Sequence, residues 1–167
     1  NQGINQQMVQ QALDWLNLQP DDQVLELYSG IGNFSLALAQ RSKWVHGLEG
    51  VTTMVQRAEA NAELNDLTNL SFSPADLHLP WPKADWNKPK YQKVLLDPAR
   101  AGAVGAVEQI ASLSPAQILY VSCNALTFAR DAKVLLDCGY QLDKISVMDM
   151  FPQTSHLELM ALFHRRK

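Results

Sequence analysis

A chain of 167 residues, 47% apolar and 19% charged, is long enough to bury one core of ordinary size without disulfides or structural metals. No apolar run nears the roughly 18 residues that cross a bilayer, and Asn1-Gln2-Gly3 opens no signal peptide, so a soluble cytoplasmic domain with no membrane contact is expected. The net charge of −3 argues against a freestanding basic nucleic-acid binder. Basic groups do gather at Lys83, Lys88, Lys90 and Lys93 and at Arg165-Arg166-Lys167, where solvated surface charge is the plainer reading. Cys123 and Cys138 form no CxxC, which leaves neither a zinc ribbon nor a disulfide framework and fits a reducing compartment. With no initiator Met, the chain is expected to be one domain, residues 1–167, of a longer product.

Asn5 to Leu16 sets Met8, Ala12, Leu13 and Leu16 on one side of an opening helix, which Pro20-Asp21-Asp22 ends. Short apolar runs then alternate with helical stretches. Strands are predicted at Val24–Tyr28, Trp44–Leu48, Leu70–Phe72, Lys93–Leu96 and Ile118–Ser122. Helices are predicted at Phe34–Gln40, Thr52–Asn65, Val104–Leu113 and Ala125–Leu136. That alternation predicts an α/β fold, a mostly parallel sheet with helices on both faces. Tyr140–Met148 and Leu157–Phe163 have no helix between them, only the turn at Pro152-Gln153-Thr154-Ser155, and predict an antiparallel closing pair that completes seven strands. Pro74 to Pro89, with Trp81 and Trp86, is the one long irregular connection.

Val24-Leu25-Glu26-Leu27-Tyr28-Ser29-Gly30-Ile31-Gly32-Asn33-Phe34 reads as a buried strand, a tight glycine turn and a helix start. Ligands of open α/β sheets bind at the carboxyl ends of the strands, so this turn is a ligand-site candidate. A dinucleotide fingerprint would carry a third glycine where Ser35 stands, which counts against a pyrophosphate. Glu49, ending the second strand, is placed to accept hydrogen bonds from two ribose hydroxyls, and Asp76, after the third, to meet an adenine amino group. Each carboxylate alone could equally be a helix cap or a loop acid. The ordered set resembles the Rossmann-like class I S-adenosylmethionine-dependent methyltransferases, and Tyr28, Gly30, Gly32, Asn33, Glu49, Asp76 and Asp97 become candidate cofactor contacts.

Strand four ends in Asp97-Pro98-Ala99-Arg100. Methyltransferases that modify amino groups carry Asp/Asn-Pro-Pro-aromatic there; with Ala99 and Arg100 in those places, an amino-methyltransferase of nucleic acid or protein is the second reading. Asp97-Pro98 could also be a strand stop with an Asx turn. Strand five ends in Ser122-Cys123-Asn124. A cysteine there is commonly a small buried hydrophobe. Pyrimidine C5, however, is a poor nucleophile, and methylating it needs a thiolate added at C6 and a base to remove the C5 proton afterwards. A helix start beside Cys123 can lower its pKa. Glu158 is the candidate base; alone it could be a surface turn acid. His156-x-Glu158 has the form of a zinc deaminase start, but its Pro-Cys-x-x-Cys partner is absent, so no metal site is expected.

Asp97-Pro98-Ala99-Arg100, Ser122-Cys123-Asn124 and Phe151-Pro152-x-Thr154-x-His156-x-Glu158 together are similar to the RNA uracil-5-methyltransferase family, over essentially the whole chain. The Asp97 to Ala103 stretch and Asp149-Met150-Phe151-Pro152 look closest to the branch acting on 23S ribosomal RNA, with the transfer-RNA branch as the alternative. The resemblance implies Cys123 as nucleophile, Glu158 as proton-abstracting base, Asp97 against the target base or the cofactor's methionine end, S-adenosylmethionine as cofactor and RNA as partner. No obligate protein partner is implied. Two departures follow. The family has Pro after Cys-Asn where this chain has Ala125, which predicts a looser turn. Members also carry an upstream RNA-binding β-barrel and, in this branch, an iron–sulfur cluster on four cysteines; neither is in these residues, nor is the glutamine of a Phe-x-Gln-x-Asn segment that would end at about Asn1. The isolated piece is therefore expected to fold and to methylate RNA poorly.

Overall fold

The computed structural model describes residues 2–82, 84–87, 89–149 and 157–167. The expected turn at 152–155, together with Phe151, His156, Lys83 and Lys88, lies outside the described residues. Chain order is α1 (Gln2–Leu16), β1 (Gln23–Leu27), α2 (Ser35–Ala39), β2 (Trp44–Glu49), α3 (Thr52–Leu64), β3 (Leu70–Pro74), β4 (Lys93–Leu96), α4 (Ala106–Ser112), β5 (Gln117–Ser122), α5 (Ala125–Asp137), β6 (Tyr140–Asp149) and β7 (Leu157–Arg165). The strands form one seven-stranded sheet in the order β3-β2-β1-β4-β5-β7-β6. β1 to β5 pair in parallel, and β7 runs antiparallel to both β5 and β6, as in the class I methyltransferase fold.

Alternation along each strand sorts the core into two layers. Leu25, Leu27, Val94, Leu96, Ile118 and Tyr120 face α4, α5 and the connection after β3. Val24, Val45, Leu95, Leu119 and Val121 face the other way, onto α1 and α2. The α1 stripe of Met8, Ala12, Leu13 and Leu16 is buried as its spacing predicts. Between β3 and β4 no α-helix is present among the described residues. The proline-rich segment has a 3-10 turn at Asp85–Asn87, and Trp86 and Tyr91 pack into the core there.

Several boundaries differ from the sequence expectation. α4 begins at Ala106 instead of Val104, because Val104 is exposed and the buried face is Ala106, Val107 and Ile110. β6 runs on to Asp149 and takes up a bulge between Leu142 and Lys144, a local irregularity with no hydrophobic signature. Lys93, grouped above with surface basic residues, is instead tied to the fold: its Nζ donates to the Leu16 carbonyl at 2.8 Å and lies 3.9 Å from Asp22. Arg165 donates to the Ser114 carbonyl at 2.9 Å.

The turn into α5 is well bonded despite Ala125. Asn124 caps the helix, its Oδ1 accepting from the Leu126 N–H at 3.1 Å, and the Asn124 N–H donates to Ser122 Oγ at 3.1 Å. Ala125 is the first helical residue, and Asn124 has the extended conformation (φ −141°, ψ 106°) that a following proline requires. Ala125→Pro is therefore expected to stabilise the fold by about 0.4–1 kcal/mol, through loss of unfolded-state freedom, and a thermal melt should show the rise in Tm.

Candidate active site

The chain order reverses direction at β1, whose neighbours β2 and β4 lead to opposite edges, and the crevice above such a switch point is where open α/β sheets take ligands. Tyr28, directly after β1, has φ +60°, a conformation unusual for a side chain of this size. Gly30 (φ +56°) follows where the chain turns back toward α2. The Gly30 N–H donates to Glu49 Oε2 at 2.9 Å and the Val51 N–H to Glu49 Oε1 at 3.0 Å. Both carboxylate oxygens are thereby oriented, each with lone pairs left to accept from a ligand.

Tyr28, Glu49 and Asp76 line a single cleft of about 360 Å³ with Gly50, Ala75, Leu77, His78 and Ala99. Tyr28 Oη is buried at this cleft without a partner among the described residues, and burial pushes the Tyr28 phenol up to about 12. Four other predicted contacts, Gly30, Gly32, Asn33 and Asp97, are not among the residues lining this cleft. Asn33 exchanges hydrogen bonds with Asn5 at 2.9 and 3.0 Å, which ties the turn to α1. Gly32 is a packing position: a Cβ there would sit 3.4 Å from the Phe72 ring. Ser35, at the third-glycine place, is fully buried and bonded to Glu26.

Asp97, Cys123 and Glu158 come from three separate strand ends. β5 and β7 pair Ser122 with Leu159, so the next step of the same antiparallel register sets Cys123 against Glu158. Asp97 follows β4, its N–H directed at the Leu27 carbonyl at 3.4 Å. Burial, then the Glu158 charge, pushes Asp97 from 3.8 up to about 7. Cys123 departs from the sequence expectation. Burial and the Glu158 charge push the thiol up, and the Asp97 charge adds to this; its own backbone and the Arg100 guanidinium pull it down. The net direction is upward, with burial the largest cause.

Sequence reasoning missed His78, Glu26 and Asp131. His78 sits in the irregular connection with its ring centroid 6.3 Å from that of Tyr28 and Nδ1 3.1 Å from the Val104 carbonyl oxygen, and no periodicity marks it. Asp131 was findable: it falls on the apolar face of α5 with Phe128, Ala132 and Leu135. A larger cleft of about 600 Å³ beside β2 and β3 is lined by Trp44, His46 and Trp86. Its rings are engaged with the fold, His46 stacking on Trp86 and Trp44 on Tyr91, which leaves no open platform there among the described residues.

Glu26 is buried beneath the glycine turn, and burial raises its carboxyl from 4.5 to about 8, against the pull of the Ser35 hydrogen bond and with the help of the Asp97 and Glu49 charges. A folded-state pKa above the unfolded one means the native state holds the extra proton, so stability is full below pH 4.5 and falls as pH rises toward 8. Glu26→Gln is expected to flatten this slope, improving its Tm relative to the parent between pH 5 and pH 8. An equal Tm difference at both pH values would contradict the assignment; Asp97 supplies a residual slope between 3.8 and about 7.

A sequence model described as tRNA (uracil-5-)-methyltransferase matches residues 1–75 and 83–166. The chain is 52% identical over 165 residues to a Vibrio parahaemolyticus protein named 23S rRNA (uracil(1939)-C(5))-methyltransferase RlmD, covering 99% of this chain and 38% of that one. A Klebsiella pneumoniae protein of the same name is 51% identical over 166 residues, again with 38% of its length covered. The chain thus spans little more than a third of these relatives. Among solved structures, the Pyrococcus abyssi tRNA (uracil-54, C5)-methyltransferase in complex with S-adenosyl-L-homocysteine superposes with a TM-score of 0.80 at 33% identity, over 95% of this chain and 38% of that one. Glu49, Asp97, Cys123 and Glu158 fall within the matched segments, with Asp76 just past the end of the first, and the chain belongs to the tRNA (uracil-5-)-methyltransferase family.

Proposed function

We propose that this chain is the catalytic domain of a protein that transfers a methyl group from S-adenosylmethionine to C5 of a uridine in RNA, with 23S ribosomal RNA as the substrate. The observation that carries the reading is the convergence of Cys123, Glu158 and Asp97 beside the cleft of Tyr28, Glu49 and Asp76. Fit to the cofactor is supported by the oriented Glu49 carboxylate and by the buried Ser35, which fills the space a pyrophosphate-binding glycine would leave. Glu49 and Asp76 would hold the ribose and adenine, Tyr28 and Gly30 the turn around them, and Asp97 the methionine end or the target base. When bound, S-adenosylmethionine supplies an electrophilic methyl group on a sulfonium.

The protein's own groups do the rest. Cys123, as its thiolate, adds to C6 of a uracil swung out of its stack, and the C5=C6 electrons move to C5 and O4, which makes C5 nucleophilic. Once C5 carries the methyl group, Glu158 accepts the C5 proton. Those bonding electrons restore the C5=C6 double bond as the C6–S bond breaks and the thiolate leaves. The choice of 23S ribosomal RNA rests on the relatives at 52% identity, and RNA recognition is assigned to regions of the longer protein outside this chain, including any iron–sulfur cluster.

In the full-length protein, Cys123→Ala is expected to lower methylation of unmodified RNA by about 10³-fold or more. Wild-type rates in that variant would sink the proposal, and a methyl group mapped to nitrogen would favour amino-methylation. Glu158→Gln is expected to let the adduct form and to slow its release, so a protein–RNA band should persist on a denaturing gel. Supplying ribosomal and transfer RNA that lack the modification, then mapping the methyl group by mass spectrometry, tests the substrate.

A further inference from the structure

Asp131 is 1% exposed in the middle of α5. A carboxylate at that depth is costly unless its acceptors are filled. Its Oδ2 accepts from Tyr120 Oη at 2.6 Å and from the Ala103 N–H at 2.7 Å, and its Oδ1 faces Arg130 Nε and Nη2, each at 2.9 Å. Two of these donors lead to the connection between β4 and α4. Ala103 belongs to it, and Arg130 Nη2 goes on to donate to the Ala101 carbonyl at 2.9 Å. One residue earlier, the Arg100 carbonyl accepts from Asn124 Nδ2 at 3.0 Å and Thr127 Oγ1 at 3.1 Å. Gly102 lies between with φ +79°, where a Cβ would come within 2.5 Å of Arg130 Nη2 and 2.7 Å of Asp131 Oδ2. Only glycine fits both that backbone and that gap.

We propose that Asp131 is a positioning residue for the Cys123 thiol: it clamps the 97–103 loop to α5 and so holds Asp97 and Arg100 in place around the sulfur. The clamp ends on both sides of the cysteine. Tyr120 stands three residues before it on β5, and Asn124 and Thr127, which hold the same loop, follow it into α5. The charged groups acting on the thiol are Arg100, which favours the thiolate, and Glu158 and Asp97, which oppose it. Arg100 and Asp97 both ride on the clamped loop. The importance of that position rests on Cys123 being the nucleophile; the contacts themselves do not.

Alkylation of Cys123 by iodoacetamide across a pH series tests the clamp with no RNA or cofactor present. The full protein is used, and peptide mass spectrometry scores Cys123 apart from Cys138. Asp131→Asn is expected to release the loop, carry Arg100 off the thiol and raise the alkylation midpoint by about half a pH unit, roughly threefold less thiolate at pH 7. Tyr120→Phe loses a bond to Asp131 without touching the loop, so it should lower Tm and leave the midpoint in place. An Asp131→Asn midpoint equal to the parent's would make Asp131 a stabilising residue only and overturn the proposal. If Asp131→Asn does not fold, Arg130→Met, at a side chain 46% exposed, frees Ala101 instead; it should move the midpoint the same way, and no movement overturns the proposal. A shifted Asp131→Asn profile alongside a Cys123→Ala protein that still methylates RNA would keep the clamp and reject uracil chemistry.

Discussion

The antiparallel pairing of β7 against β5 is the constraint on which the candidate site depends. Parallel strands alone would end in a row, each delivering its last side chain to the same rim. Because β7 arrives from the opposite direction, its first residues, not its last, lie at that rim, and the register that pairs Ser122 with Leu159 carries Glu158 to Cys123. A slip of one residue would send Glu158 to the other face of the sheet. That register is held by burial on both faces, with Met160 and Leu162 in one core layer and Ala161 and Phe163 in the other.

Acids dominate the electrostatics around this rim. The Asp97 and Glu49 charges act on Glu26 and the Glu158 charge acts on Asp97, and burial raises both Glu26 and Asp97. Among the described residues, Arg100 is the cation that pulls the Cys123 thiol down. Such a site favours protonated side chains, and it attracts positive charge. A cationic sulfonium suits it better than a phosphate would. The glycine turn agrees, since Glu49 occupies the Gly30 N–H that a phosphate-binding loop would offer to its ligand.

Two loops hold the chemistry, and they are held in turn by different means. The glycine turn is pinned by Glu49 from β2 and by Asn5 from α1 through Asn33. The 97–103 loop is pinned by α5, through Asn124, Thr127, Arg130 and Asp131. The buried acid of α5 thus links the loop that carries Asp97 to the strand and helix that flank Cys123.

Much of this was legible in the sequence. Short apolar runs and helical spacing located the described strands and α-helices to within a few residues, because each buries one face or both and the pattern follows burial directly. Strand ends bearing Gly30, Glu49, Asp76, Asp97 and Cys123 followed from the rule that open α/β sheets work at their carboxyl rims. What only the tertiary structure decided depends on partners distant in the chain. Asn33 reads as a turn residue, and only the fold brings Asn5 of α1 against it. Lys93 reads as surface charge until β4 pairs beside Gln117 and the end of α1 covers it. The Cys123 thiol reads as activated by its helix start, yet its pKa is set by burial and by a carboxylate 35 positions later in the chain. Local sequence encodes periodicity and turn chemistry; the field at an atom sums over neighbours that only the fold assembles.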